Sequence, residues 1–526
     1  MMTLTIRGKV FFAMYGKLIS ACLHGVEGKR VEVEVDLSNG LPQMNIVGLP
    51  DSAIKESMER VRAAIKNCGY AFPLQRITVN LAPADVRKEG ASFDLAIAAG
   101  ILLTSGQWHC EGLEKILLIG ELALDGSVRP VAGVLSMMTA ARSMGLSKVI
   151  VPKGNEEEAR LLSGYEVWPI AHLSELKAGF PQKPDGAGEA SPRSAAGAAS
   201  ARASQDDYAD VLGQLHAKRA MTISAAGMHN ILLIGPPGTG KTMLAKRLPT
   251  IMPPLGENES IEVTKIYSAS GKFADRCRLV RERPFRSPHH SISAAGLIGG
   301  GSVPKPGEVS LAHRGILFLD ELPEFSRVAL EALRQPMEDR VVTISRARTT
   351  YTFPAHFLLA ASMNPCPCGW LGAQTEGREC LCSPAQLSRY RSKMSGPLLD
   401  RIDLQVEVPR SAYHELMPAQ APLSSAEMRA AVESAHRIQQ HRYRTIGISF
   451  NSELAGKMLR EHAALSREAA GLLQDSFARL GLSLRAHDRI IKIARTIADL
   501  AGSETILPEH VAEALQYRVL DRRGRA

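Results

Sequence analysis

The run NILLIGPPGTGKT, residues 230–242, constrains this chain more than any other stretch. An apolar strand ends there in a glycine-rich turn, and MLAKRL then opens a helix. That strand–loop–helix order aims backbone N–H groups and a helix N-terminus at a phosphate. Gly235, Pro236, Pro237, Gly238, Thr239 and Gly240 would form the ATP cradle. Lys241 would neutralise the β- and γ-phosphates, and Thr242 would ligate Mg²⁺.

A second segment completes that chemistry. In ILFLDE, residues 316–321, four apolar residues form a buried strand with two carboxylates at its end. Asp320 would hold the Mg²⁺ shell and Glu321 would polarise the attacking water. By itself such a pair is also an ordinary strand end with solvated acids; the phosphate loop upstream makes it specific.

The rest of the chain divides by composition. Alternation at 30–37 reads as a half-buried strand, and Ile54, Met58, Val61 and Ile65 mark a helix over 53–68. Further strands are expected at 77–81, 116–120 and 148–152, and helices at 93–103 and 133–144. This first block, residues 1–180, is a mixed α/β domain. Residues 181–205 hold no large apolar side chain and read as a flexible linker. Residues 206–409 alternate strands and helices, and 410–526 read as a helical bundle. No internal repeat is evident. The formal net charge of +9 favours an anionic partner, although a solvated positive face gives the same balance. No apolar run approaches the roughly 18 residues that cross a bilayer, and the first 25 residues make a poor signal peptide. The expected location is the cytoplasm, with no membrane partner. Cys22, Cys68, Cys110 and Cys277 are scattered and expected to be reduced, buried thiols.

Several segments resemble known ATPases. HFLLAASMN (356–364) ends in Asn364, at the place where AAA+ proteins carry a polar residue that orients the water. GPLLDRIDL (396–404) is similar to the segment of magnesium-chelatase and replicative-helicase ATPases that supplies an arginine finger to the next subunit. Arg401 matches, which implies a homo-oligomeric ring, most often a hexamer; the alternative for Arg401 is a surface ion pair with Asp400 or Asp403. SLRAHDRIIKIARTIADLAG (483–502) resembles the AAA+ lid, with Arg485 matching the arginine that contacts the γ-phosphate, and Arg489 and Arg495 facing solvent or partners. Together with residues 39–67, RPFRSPHHSIS (283–293), NPCPCG (364–369) and ARTIADL (494–500), these stretches resemble the YifB/ComM family of magnesium-chelatase-like AAA+ proteins over essentially the whole chain.

The resemblance implies a ring ATPase that uses ATP and Mg²⁺, with DNA helicase or branch-migration activity on branched or single-stranded DNA. A chelatase-type motor and a protein-remodelling ATPase without DNA activity are the alternatives. It implies the fold class α/β: an N-terminal Lon-protease-like α+β domain, a central AAA+ P-loop α/β domain and a C-terminal helical lid. Residues 338–357 read as a hairpin with Arg346 and Arg348 near its turn, which in helicase relatives enters the ring pore and would meet a phosphate backbone. Lys305 lies in a Gly-rich stretch, 291–309, that is either a second pore loop or a surface loop. His289 and His290 read as packing or hydrogen-bonding residues.

In the first block, KEGASFDLAIA (88–98) resembles the serine segment of the Lon proteolytic domain and puts Ser92 at the nucleophile position. The activating lysine is replaced by Leu135, and no lysine lies between Lys115 and Lys148. A serine without its base is a weak nucleophile, so no peptidase activity is expected. Finally, Cys366-Pro-Cys368 and Cys380-Leu-Cys382 suit a tetrahedral thiolate site for structural Zn²⁺; reduced or redox-active thiols are the other reading.

Overall fold

The computed structural model describes residues 5–6, 9–10, 15–84, 87–110, 112–178, 206–272, 279–301, 303–346, 349–372, 379–410 and 422–518. The expected linker 181–205, Arg348 and Cys277 lie outside them. The chain forms two compact units, Met1–Ser194 with Ser260–Val280, and Ala195–Glu259 with Arg281–Ala526.

In the first unit, apolar side chains at every second position of 27–38 form one buried face of a strand. Seven strands make the sheet: β1 (Tyr15–His24), β2 (Glu27–Ser38), β3 (Gln43–Val47), β4 (Arg76–Ala82), β5 (Ile116–Leu118), β6 (Lys148–Pro152) and β7 (Glu166–Ile170). Their spatial order is β7-β6-β5-β1-β2-β4-β3, antiparallel where β2 meets β1 and β4 and parallel elsewhere. Helix α1 (Ser52–Asn67) starts at Asp51, whose side chain accepts the Ile54 N–H. Helix α2 (Asp94–Thr104) is apolar on every side and almost wholly buried, as a central core helix must be. Its one acid, Asp94, is paired with Arg60 of α1 at 2.8 Å. Burial raises the Asp94 carboxyl to about 6 in spite of that partner. Helix α3 is Val134–Arg142.

The second unit is built on a five-stranded parallel sheet of β8 (Ile231–Ile234), β9 (Phe285–Arg286), β10 (Ile316–Leu319), β13 (Leu358–Met363) and β14 (Leu404–Glu407). Between β10 and β13 the chain makes the hairpin β11 (Val341–Arg346) and β12 (Thr349–Pro354). The sheet order is β9-β10-β13-β8-β14, so the strand that feeds the phosphate loop is flanked on both sides. Its helices include α4 (Lys241–Lys246), α6 (Pro384–Ser392), α7 (Ser425–Tyr443), α8 (Arg467–Leu480), α9 (Leu484–Leu500) and α10 (Pro508–Gln516), while α5 (Glu257–Ala269) starts in this unit and from Ser260 onward counts with the first.

Two features differ from the division by composition. The helical block shares one apolar core with the parallel sheet: Ile490, Ile493, Ala494 and Ile497 of α9 join Ile231 and Leu233 of β8. Each such buried isoleucine contributes roughly 1.5–3 kcal/mol, enough to fuse the two blocks. Residues 260–280, expected within the central block, group with the first unit. There the Ser268 hydroxyl donates to the Glu158 carboxylate, and Thr264 Oγ1 accepts the Val280 N–H at 3.0 Å. Polar side chains on a helix give a sequence reader no sign of which core they serve.

Cys22 is buried, whereas Cys68 and Cys110, expected to be buried, are only half-buried. Among the described residues, no helix is long and apolar enough to cross a membrane.

Candidate functional site

The phosphate loop leaves β8 at Gly235 and enters α4 at Lys241. Gly238 and Gly240 hold φ of +79° and +82°, a region that glycine enters without a Cβ clash, which is what a tight phosphate-loop turn requires. Lys241 is buried in the turn. Its Nζ donates to the carbonyls of Gly235 and Pro236, both at 2.8 Å, and to Asn364 Oδ1 at 3.3 Å. Burial lowers its ammonium pKa, against the pull of Asp320 and Glu321. Thr242 Oγ1 donates to Asp320 Oδ2 at 2.9 Å, so the two residues that would share a magnesium ion already touch.

Asp320 and Glu321 follow directly on β10. Glu321 is exposed with φ +54° and ψ +52°, an uncommon conformation for a non-glycine residue. Ser362, on the neighbouring β13, donates to Asp320 Oδ1, and its oxygen accepts the Glu321 N–H at 3.3 Å. Ser362 therefore fixes both acids, a role that sequence reading missed; its place two residues before Asn364 was the only signal. The structure thus brings together Lys241, Thr242, Asp320, Glu321 and Asn364.

The two arginines lie elsewhere. Arg401 is 4% exposed. Its guanidinium pairs with Glu338 at 2.5 Å and donates to the Pro397 carbonyl at 2.6 Å, while its Nε is buried without a partner. Its ion-pair partner is therefore neither Asp400 nor Asp403. Arg485, at the start of α9, is exposed, and its charge acts with those of Arg401 and Arg489 to lower the Glu338 carboxyl, Arg401 most strongly. Among the described residues Arg485 makes no hydrogen bond to the phosphate loop.

Arg489 and Arg495, expected to face solvent or partners, do not. Arg489 pairs with the buried Asp403 and donates to the Arg401 carbonyl at 2.8 Å. Arg495 is 1% exposed and donates to Asp499 and to the carbonyls of Ser503 and Glu504, tying off the C-terminal end of α9. Burial opposes charge on Asp403, but Arg489 and His229 outweigh it and hold the carboxyl well below the usual range. Asp403 also accepts the Asn230 N–H at 2.9 Å, which anchors the Arg401 loop at the base of β8.

In the β11–β12 hairpin, paired down to Arg346 and Thr349, Arg346 is exposed and donates to the Gly301 carbonyl at 2.7 Å. Gly301 belongs to the Gly-rich stretch, where Gly299–Gly300 pairs with Lys305–Pro306 and Lys305 is exposed. Arg346 and the segment carrying Lys305 are thus joined. The rings of His289 and His290 are tilted at 36° with centroids 4.0 Å apart; His290 meets the edge of Phe325, and His289 Nδ1 lies in hydrogen-bond contact with the Ser291 hydroxyl at 2.8 Å, so the pair packs and hydrogen-bonds.

The four clustered cysteines converge. Cys366 Sγ lies 3.3 Å from Cys368 and 3.7 Å from Cys380, Cys368 lies 3.6 Å from Cys380, and all four sulfurs fall within 4.8 Å of one another. The edge of a thiolate tetrahedron around zinc is about 3.8 Å, given Zn–S of about 2.3 Å. The Trp370 backbone N–H lowers the Cys368 thiol to about 6, whereas burial pushes Cys366 up.

In the first unit Ser92 is buried and donates to the Ala21 carbonyl at 3.3 Å. Leu135 is buried in α3. The buried Lys88 donates to the Pro83 carbonyl.

Three family models match the chain. "Magnesium chelatase, subunit ChlI" covers residues 207–416, "Subunit ChlI of Mg-chelatase" covers 33–155, and "Magnesium chelatase, subunit ChlI C-terminal" covers 422–518. The uncharacterized protein YifB of Salmonella typhimurium is 44% identical over 504 residues, 95% of this chain and 96% of its own length. Competence protein ComM of Haemophilus influenzae is 43% identical over 502 residues, 95% of this chain and 96% of its own. A more distant likeness, 26% over 161 residues and 28% of this chain, is to Lon protease 2 of Bacillus subtilis.

Proposed function

Because the chain belongs to the YifB/ComM family of magnesium-chelatase-like AAA+-type ATPases, we propose that it forms a homo-oligomeric ring, most often a hexamer, that couples ATP hydrolysis to remodelling of branched or single-stranded DNA in the cytoplasm. Helicase action and branch migration are the specific activities. In each subunit Lys241 binds the β- and γ-phosphates, and Thr242 and Asp320 hold Mg²⁺. When bound, the ion offsets charge on the β- and γ-phosphates. Glu321 polarises the attacking water and Asn364 orients it. Arg401 acts on the nucleotide of the neighbouring subunit, and Arg485 contacts the γ-phosphate. The pairing of Arg401 with Glu338, where the charge of Arg485 also acts, is the observation that carries the ring reading.

The DNA reading is supported by the exposed Arg346 and Lys305 on two joined segments, where cations meet a phosphate backbone. One relative's name, a competence protein, agrees with it. The magnesium-chelatase family models favour a second reading, a motor that drives a metal-inserting partner. The four clustered cysteines bind structural Zn²⁺, supported by their sulfur spacings.

The test is unwinding of labelled three-way and four-way junctions with ATP and Mg²⁺, using the wild type beside Glu321→Gln. ATP-dependent product from the wild type alone supports the motor. ATP turnover with neither junction binding nor movement would sink the DNA reading and favour the chelatase-type motor.

A further inference from the structure

Asn364 is framed from three sides, and the cysteine cluster joins all three. It follows β13 directly and precedes Cys366 by two residues. From the other end, Cys382 leads straight into α6, whose start is fixed by reciprocal Ser383–Gln386 hydrogen bonds of 2.9 and 3.3 Å. On that helix the buried Tyr390 turns its hydroxyl toward the backbone N–H of Asn364. The third side is the phosphate loop: Lys241 Nζ donates to Asn364 Oδ1, and Gly369 packs on Pro237. A Cβ at Gly369 would come within 2.7 Å of Pro237 Cδ, and φ there is +85°. The second cysteine pair sits on the arm that leads into α6. Leu381, between the two cysteines, is 91% exposed, so the arm gains no apolar burial at that position.

We infer that a zinc ion held by Cys366, Cys368, Cys380 and Cys382 is a clamp on the ATP site, closing the loop that sets Asn364 against Lys241 and the Gly369 turn against Pro237. The inference rests on the zinc reading above. Metal binding releases the thiol protons to solvent, and the bonds it makes replace the missing apolar anchor. Tyr390 and Gly369 act as positioning residues: Tyr390 fixes the backbone of Asn364, and Gly369 lets the cysteine turn rest on the phosphate loop.

The experiment uses the full-length protein expressed with added zinc. Bound metal is measured by mass spectrometry, with steady-state ATPase kinetics and melting alongside. The wild type is expected to carry about one zinc per chain. Cys380→Ser/Cys382→Ser is expected to carry none and to lose about tenfold to a hundredfold in kcat, with a smaller change in KM, the mark of a misplaced group. Tyr390→Phe and Gly369→Ala retain all four thiols. They are expected to keep zinc and lower kcat in the same direction, which answers the case in which the serine variant does not fold. A zinc-free serine variant with wild-type kcat and KM would overturn the clamp and leave the zinc reading standing. Unchanged kcat in both Tyr390→Phe and Gly369→Ala would do the same. A zinc-free wild type would overturn both.

Discussion

Replacing Asp403 by asparagine tests the anchor beneath the Arg401 loop. Asp403 is 4% exposed and pairs with Arg489, whose side chain is 18% exposed. Removing one partner of a buried ion pair costs about 3–5 kcal/mol, because the other charge stays desolvated and unpaired. Arg489 keeps some solvent and its bond to the Arg401 carbonyl, so the lower end, about 3 kcal/mol, applies. Asparagine preserves an acceptor for the Asn230 N–H, so the loss isolates the charge. At roughly 2–4 °C per kcal/mol for a domain of this size, melting should fall by about 6–12 °C. Calorimetry would follow Asp403→Asn, Arg489→Leu and the double variant. The double variant should be more stable than the sum of the singles implies, by about 2 kcal/mol. If Asp403→Asn melts within about 0.5 kcal/mol of the wild type, or the two changes simply add, the reasoning is refuted.

Other outcomes follow from the same contacts. Ser362→Ala removes the hydroxyl that donates to Asp320 and accepts from the Glu321 backbone, and should cut ATPase roughly tenfold with a raised Mg²⁺ requirement. An unchanged Mg²⁺ titration would refute the positioning role. Burial, then the charge of Arg283, lowers His436 to about 4, beneath its ordinary 6.5. The fold therefore favours the neutral ring, and this contribution is complete above about pH 6.5 and lost as pH falls toward 4, amounting to about 2 kcal/mol at pH 5. A melting profile from about pH 7.5 to 5 that is as steep in His436→Phe as in the wild type would show that another group is responsible. With Leu135 at the base position, the wild type should leave casein intact, and Ser92→Ala should change neither that result nor ATPase; any casein cleavage would contradict the absent-base argument.

The phosphate loop, the two acids of ILFLDE and Asn364 were legible because each is a contiguous run whose chemistry is local: an apolar strand, a turn that needs glycine, a polar residue at the strand end. The parallel pairing of the strands was not read from these runs and came with the structure. In the first block four of the seven sheet strands and the helices at 53–68, 93–103 and 133–144 were legible by periodicity, because one buried face writes its period into the sequence, whereas β1, β3 and β7 went unread. The partners were not legible. Arg401 could be read as an arginine of a known kind, but Glu338 as its mate, Arg489 beneath it and the full burial of Arg495 depend on how α9 packs on the sheet. Ser362 looked like one more small residue of a strand until β13 was placed beside β10. The assignment of 260–280 to the first unit rests on hydroxyls such as Ser268, which carry no periodicity. The sequence by itself determined the groups available for phosphate and thiolate chemistry, because those motifs need only neighbours along the chain. Only the tertiary structure decided which charge faces which, because an ion pair's energy depends on distance and burial, and both are set by packing between distant segments.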